Sequence, residues 1–235
     1  MARITLRQLL DHAAEHGYGV PAFNINNMEQ GLAIMDAAAA VDAPVIIQAS
    51  RGARSYANDI MLSKMIDALE EMYPQIPLCM HQDHGNEEAT CATAIQHGFT
   101  SVMMDGSLKA DAKTAADYDY NVDITRRVVE MAHWIGASVE GELGVLGSLE
   151  HGGGEHEDGH GVEGKVSHDQ LLTDPDQAVD FVRATKVDAP VIIQASRGAR
   201  SYANDIMLAK MIDALEEMYP QIPLCMHQDH GNEES

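Results

Sequence analysis

An internal copy constrains this chain more than any other feature. Residues 41–88 recur as residues 187–234 at a constant offset of 146, with a single difference, Ser63 against Ala209. Solenoid repeats drift in sequence and recur three times or more, because each unit needs neighbours to bury its apolar face. Two near-identical copies separated by unrelated sequence do not fit that pattern. The pair reads instead as a rearranged segment, whether by gene rearrangement, cloning accident or assembly error, with an abrupt join near Val187. For folding, the consequence is degeneracy. Two identical segments compete for one place in whatever architecture the first copy serves.

Around the copy, strand-like and helix-like patterns alternate. Residues 5–15 read as a helix with Thr5 as cap and Gly17 as stop. A β-like run over 18–24 precedes an Ala-rich helix over 28–41. PVIIQA (44–49) has the character of a buried strand. Residues 58–73 form an amphipathic helix with Met61, Met65, Ile66, Leu69 and Met72 on one face, read as core packing rather than a cofactor site. Strands follow over 77–83, 100–105 and 138–143, with helices over 87–96 and 118–135 between them. A Gly-, His- and acid-rich loop spans 144–173, a helix spans 175–185, and the copied strand, helix and strand come last.

Such alternation predicts a parallel sheet with helices outside. Polar residues cluster at the carboxyl ends of the strands: Asn24, Ser50, Asp83 with His84, Asp105 and Glu142. In a parallel barrel the chemistry sits at that end. An open doubly wound sheet is the alternative, but no Gly-rich dinucleotide turn follows the first strand. The expected class is therefore α/β, of (β/α)8 TIM-barrel type but incomplete: strands one to five plus copies of strands two and three. Residues 1–189 form the first part of the barrel, and residues 190–235 continue the same domain.

The composition narrows the partners. A chain of 235 residues, 45% hydrophobic, suffices for one domain with a large core. Its formal net charge of -22 repels nucleic acid and anionic membranes. A phosphorylated ligand would have to be held by local features such as a metal ion or a nest of backbone N–H groups. Cys79, Cys91 and Cys225 form neither a Cys-x-x-Cys pair nor an even-numbered disulfide framework. With no signal peptide and no membrane-spanning apolar run, a cytoplasmic protein is expected.

The segment HQDHG (81–85) places a His and an Asp side by side at a strand end. They suit a metal ligand and a general acid or base; a hydrogen-bonded strand terminus explains the motif alone equally well. Asp105 and Glu142 end two later strands. One imidazole with carboxylates from neighbouring strands makes a mixed nitrogen and oxygen site for zinc or a harder divalent ion. The loop HGGGEHEDGHG (151–161) also carries His151, His156 and His160. Ordering so glycine-rich a segment around an ion is entropically costly, so these are read as solvent-exposed, and a metal-buffering role is the weaker alternative.

GVPAFNINN, PVIIQAS, MHQDHG, SVMMDGS, SVEGELG and DPDQAVDFVRATKVDA are together similar to the successive strand-end and helix motifs of class II fructose-1,6-bisphosphate aldolases. The branch of bacteria that fix carbon dioxide resembles them most, and the resemblance spans residues 4–189. It implies a (β/α)8 barrel, a homodimer or larger assembly, and a place in glycolysis or the Calvin cycle. It implies reversible cleavage of fructose 1,6-bisphosphate to dihydroxyacetone phosphate and glyceraldehyde 3-phosphate through a zinc-stabilised enediolate. By the same resemblance His84 is one of three zinc histidines, Asp105 and Glu142 are ligands of a second divalent cation, and Asp83 exchanges a proton with the aldehyde oxygen. Ser50 contacts the glyceraldehyde 3-phosphate part, Asn24 makes a polar contact near the metal, and Glu157 removes a proton from the ketone substrate. Tagatose-bisphosphate aldolase is the neighbouring enzyme reading.

Beyond Ala189 the copy stands where the family places its sixth to eighth strands, with two further zinc histidines and the phosphate-binding loops. The resemblance therefore sets an inactive rearranged product against a working enzyme. An unclosed sheet would also expose an edge. His227 and His230, with Asp229, lie at the end of the copied strand three and could by accident stand in for a missing zinc ligand.

Overall fold

The computed structural model describes residues 3–145, 161–163, 165, 167, 173–188, 191–195, 205–218 and 224–228. The chain starts with α1 (Leu6–His16), closed at one end by a capping box. Thr5 Oγ1 accepts from Gln8 N while Gln8 Oε1 accepts from Thr5 N, so two otherwise orphaned donors are satisfied. Gly17, at φ 66°, ends the helix in the left-handed conformation that glycine adopts without cost. β1 (Ala22–Asn24), α2 (Met28–Val41) and β2 (Val45–Ser50) follow.

The sequence pattern gives one helix over 58–73, and the structure has two in that neighbourhood. α3 (Arg51–Ala57) starts directly from β2, capped by Ser50, whose Oγ accepts from Ala53 N at 3.1 Å. α4 (Asp59–Met72) starts after Asn58, which sits at φ 69° and accepts from Ile60 N at 3.0 Å. The expected apolar face of α4 is corrected. Leu62, Ile66 and Leu69 are the buried residues, whereas Met61 and Met72 are 68% and 57% exposed. The stripe that meets the sheet is centred on 62, 66 and 69, and Met65 only flanks it.

β3 (Leu78–Gly85), α5 (Glu88–Gln96), β4 (Ser101–Met104), α6 (Tyr118–His133), β5 (Ser138–Gly141) and α7 (Pro175–Thr185) complete the first part. β1 to β5 form one parallel sheet in sequential order. Two apolar sets flank it. Val45, Ile47, Leu78, Met80, Val102, Met104 and Val139 pack against the surrounding helices. Ile46 and Cys79, on the opposite face and near the amino ends of their strands, pack against Leu6, Leu9 and Leu10 of α1. The period-two alternation of strands therefore places Gln48 and Ser50, His81 and Asp83, on the same face as Ile46 and Cys79 but nearer the carboxyl edge.

The copy repeats its local structure. β6 (Val191–Ala195), α8 (Asp205–Met218) and β7 (Leu224–Gln228) match β2, α4 and β3. The register is also repeated: Val191 faces Leu224 as Val45 faces Leu78. As expected, the barrel is incomplete: among the described residues β6 and β7, the copies of strands two and three, pair with each other as a two-stranded sheet beside the five-stranded one. Identical sequence reproduces the pairing inside the segment. It does not supply the neighbours that joined the first copy to β1 and β4. At the junction, Asp188 N donates to Val139 O at 3.1 Å and the Asp188 carboxylate accepts from Val139 N at 2.7 Å, which fastens the end of the genuine helix to β5.

Candidate metal centre at the strand ends

The ends of three strands, β3, β4 and β5, deliver the polar cluster, and one irregularity shapes it. Gln82 faces Val102, but Gly85 faces Met104, so β3 carries one extra residue between them. This is a β-bulge, and His84 occupies it at φ 49°. The bulge lets adjacent residues, Asp83 and His84, both contribute to the site. Gly85 is required there: a Cβ would lie 2.6 Å from Cys91 Sγ and 2.7 Å from the Met103 carbonyl oxygen.

His84, Asp105 and Glu142 each offer one ligand atom, and these atoms lie within 4.8 Å of one another. His84 Nδ1 is 3.2 Å from Asp105 Oδ2 and 3.8 Å from Glu142 Oε2, and His84 Nε2 is 3.9 Å from Asp83 Oδ1. His84 and Asp105 are buried, and Glu142 is half-buried. Burial opposes a charge on His84. The hydrogen bond to Asp105 and the charges of Glu142, Asp83 and Asp105 outweigh it and hold the imidazole well above its ordinary pKa. Three carboxylates around one imidazole make a strongly negative pocket. A divalent cation answers that charge, and one nitrogen with two carboxylate oxygens is a donor set fitting zinc or a harder ion.

Supporting contacts fix each donor. Ser107 Oγ and N donate to Asp105 Oδ1 at 2.5 and 3.1 Å, leaving Oδ2 toward His84. Gln48 Nε2 donates to Asp83 Oδ2 at 3.1 Å. Asn121 Nδ2 donates to the Glu142 carbonyl at 2.7 Å and so holds the end of β5. One layer below, His81 Nδ1 is 2.8 Å from Ser101 Oγ and its Nε2 is 3.5 Å from Glu140 Oε2.

Sequence reasoning missed Arg54. Its guanidinium donates to Asp59 at 2.7 and 2.8 Å, to the Thr90 carbonyl at 2.9 Å, to Thr93 Oγ1 at 3.0 Å and to Gln82 Oε1. It also lies 5.4 Å from the Phe99 ring centroid. Gln82 Nε2 in turn donates to the Asp83 carbonyl at 2.6 Å, so Arg54 supports the bulge through Gln82. An Arg in RGAR followed five residues later by an Asp was the available signal.

The remaining sequence-derived residues fall as follows. Ser50 is buried at the end of β2, in register with Asp83. Asn24 is exposed at the end of β1, opposite Gln48. His227 lies on β7 opposite Gln194. Glu157, His151, His156, His160, Asp229 and His230 lie outside the described residues.

Comparison with known proteins bears on this arrangement. Residues 4–189 match the family model of class-II fructose-bisphosphate aldolases, and residues 188–235 match it separately. Fructose-bisphosphate aldolase 2 of Cereibacter sphaeroides is 73% identical over 97% of this chain and 66% of its own length. A fructose-bisphosphate aldolase of Rhizobium meliloti is 68% identical over 97% of this chain and 65% of its own length. The chain thus spans just under two thirds of the curated relatives it matches. Among solved structures, one described as a fructose-1,6-biphosphate aldolase from Coccidioides immitis superposes with a TM-score of 0.69 at 25% identity, over 94% of this chain and 72% of its own. The YdjI aldolase from Escherichia coli K12 gives 0.63 at 26% identity, over 82% and 59%.

Proposed function

The chain belongs to the class-II fructose-bisphosphate aldolase family, a family of metal-dependent lyases, and on that premise we propose that its strand-end cluster serves the reversible cleavage of fructose 1,6-bisphosphate. The observation that carries the reading is the convergence of Asp83, His84, Asp105 and Glu142 from three consecutive strands onto one carboxyl edge. Residues of that type at that edge serve chemistry in parallel barrels.

In this reading His84 holds zinc, and Asp105 and Glu142 hold the same or a second divalent cation. When bound, such an ion polarises a substrate carbonyl and spreads the negative charge that develops when the adjacent carbon loses a proton. Asp83 carries the proton at the aldehyde oxygen. Its Oδ2 accepts from Gln48, which orients the carboxylate and leaves Oδ1 toward the His84 side of the cluster. Glu157 takes the proton from the ketone substrate, a role that a carboxylate suits. Ser50 and Asn24, at the ends of β2 and β1, contact the phosphorylated sugar. The same reading carries zinc as the working ion, a homodimer, a cytoplasmic location and service in glycolysis or the Calvin cycle. No helix among the described residues is long and apolar enough to cross a membrane.

The test is coupled-assay turnover of fructose 1,6-bisphosphate by the 235-residue chain with added zinc, a chelator arm and Asp83→Asn. Turnover that the chelator abolishes and the substitution reduces by two or more orders of magnitude supports the reading. Absence of turnover, or turnover indifferent to the chelator, contradicts it.

A further inference from the structure

Gln82 breaks the pattern of its strand. It follows Leu78 and Met80 on the side of β3 that packs against the helices, where those two belong to the apolar core. Gln82 is nevertheless fully buried. A buried amide needs partners for both its ends. Its Oε1 accepts from Arg54 Nη1, and its Nε2 donates to the Asp83 carbonyl at 2.6 Å. The orientation is forced, because a guanidinium carries donors only. Oε1 must face Arg54, and Nε2 is thereby turned toward Asp83.

Arg54 is fixed in turn from two helices. Asp59, the first residue of α4, accepts from Nε and Nη2 at 2.7 and 2.8 Å, a two-pronged contact that sets the guanidinium plane. On α5, the Thr90 carbonyl and Thr93 Oγ1 accept at 2.9 and 3.0 Å. Thr90 Oγ1 then donates to Asn86 Oδ1 at 2.9 Å, and Asn86 Nδ2 donates to the Ala110 carbonyl at 2.7 Å, in the loop that follows Asp105 and Ser107. One guanidinium thus holds the chain on both sides of the bulge, at Gln82 before it and through Thr90 and Asn86 after it. Asp83, His84 and Gly85 lie between these anchors. His84 sits there at φ 49°, a conformation that a non-glycine residue keeps only where its surroundings impose it.

We propose that Arg54 is a positioning residue for the strand-end site, acting through Gln82 on the bulge that presents Asp83 and His84. The inference rests on the assignment of His84 as a metal ligand and Asp83 as a proton carrier. Arg54 itself reaches neither group, because it binds Gln82 on the helix side of the sheet and Asp83 points to the opposite face. The amide of Gln82 is the link. A side chain that accepts from Arg54 but cannot donate to Asp83 keeps the guanidinium satisfied and releases the bulge. Outer partners of metal ligands set affinity by about 10–100-fold, and Arg54 stands one contact further out, so a change of about tenfold is expected.

The test compares the full chain with Arg54→Ala, Arg54→Lys, Gln82→Glu and Arg3→Ala. It reads Co2+ binding from the visible bands and, in the metal-free chain, the imidazole carbon–proton NMR signal of His84, assigned with His84→Ala. Gln82→Glu keeps an acceptor for Arg54 and removes the donor to Asp83, so it separates position from stability. Arg3→Ala is the stability control: it breaks contacts to Asp67 and Glu70 of α4, beside the amino end of β3. Arg54→Ala and Gln82→Glu are each expected to weaken Co2+ binding about tenfold, to change its bands and to move the His84 signal. Arg54→Lys recovers part of both, and Arg3→Ala changes neither. In turnover of fructose 1,6-bisphosphate the first two variants lower kcat about tenfold and leave KM within about twofold. A His84 signal unmoved in Gln82→Glu, or moved as far by Arg3→Ala, overturns the proposal. A wild-type chain that binds no Co2+ through His84, or turns over no substrate, contradicts the function proposed for the site instead, and the His84 signal still decides the role of Arg54.

Discussion

Replacing Arg54 with alanine removes a guanidinium that joins α3, α4, β3 and α5. Arg54 and Asp59 form a largely buried pair, with side chains 7% and 28% exposed. Removing one partner of a buried pair costs about 3–5 kcal/mol, and the partial access of water to Asp59 places this pair at the lower end, about 3 kcal/mol. Gln82 is fully buried and loses its charged partner while keeping its bond to Asp83, adding about 1–2 kcal/mol. The contacts share one network and do not add fully, so the total is set at about 3–5 kcal/mol. With a urea m-value of about 2 kcal/mol/M, the unfolding midpoint falls by roughly 1.5–2.5 M. Urea titration followed by circular dichroism measures it. Arg54→Lys recovers only part of the loss, because one ammonium cannot reproduce the guanidinium fork. A midpoint shift below about 0.5 M for Arg54→Ala refutes the reasoning, since the pair would then contribute no more than an exposed one.

Gly85→Ala forces a Cβ against a backbone carbonyl that cannot move aside, so it is expected to cost about 1–3 kcal/mol in the same titration and to weaken metal binding at His84. The Asp111 carboxyl accepts first from Thr114 Oγ1, then from the Thr114 and Lys113 amides, and these hold its pKa at about 2. Its stabilising effect is therefore complete above its ordinary 3.8 and lost as pH falls through about 2. A carboxyl-carbon NMR titration of wild type and Thr114→Val checks this, with the variant titrating higher. Burial pushes the Cys79 and Cys91 thiols up to about 12. Alkylation at pH 8 followed by peptide mapping should leave both unlabelled in the native chain and label both in urea.

The strand–helix alternation was legible because each element carried its own period and punctuation. Thr5 and Gly17 bounded α1, and Pro175 opened α7 with Asp174 as its cap. The strand ends were legible as the place of the chemistry because Asp83, His84, Asp105 and Glu142 interrupt apolar runs at equivalent points. α3 was not, because RGARSYA has no apolar face of its own and its start depends on Ser50 acting as a cap. The bulge at His84 was not legible either. A non-glycine residue at positive φ is held there by its surroundings, here the contact of Gln82 within β3 and that of Arg54 from α3. The methionines at 61 and 72 fit a helical stripe in sequence, yet its burial is decided by which neighbours reach it. The copy makes the same point at larger scale. Its internal register is written in its own residues, whereas its pairing with β1 and β4 was a property of the first copy's position.

The most direct measurement is Co2+ binding, followed by its visible absorption bands, in the full chain and in His84→Ala, Asp105→Asn and Glu142→Gln. The account predicts a site whose bands report mixed nitrogen and oxygen coordination. It predicts an affinity that falls at least tenfold with each substitution and a site that zinc displaces. An affinity unchanged by His84→Ala would contradict it, because the convergence of the strand ends would then hold no ion.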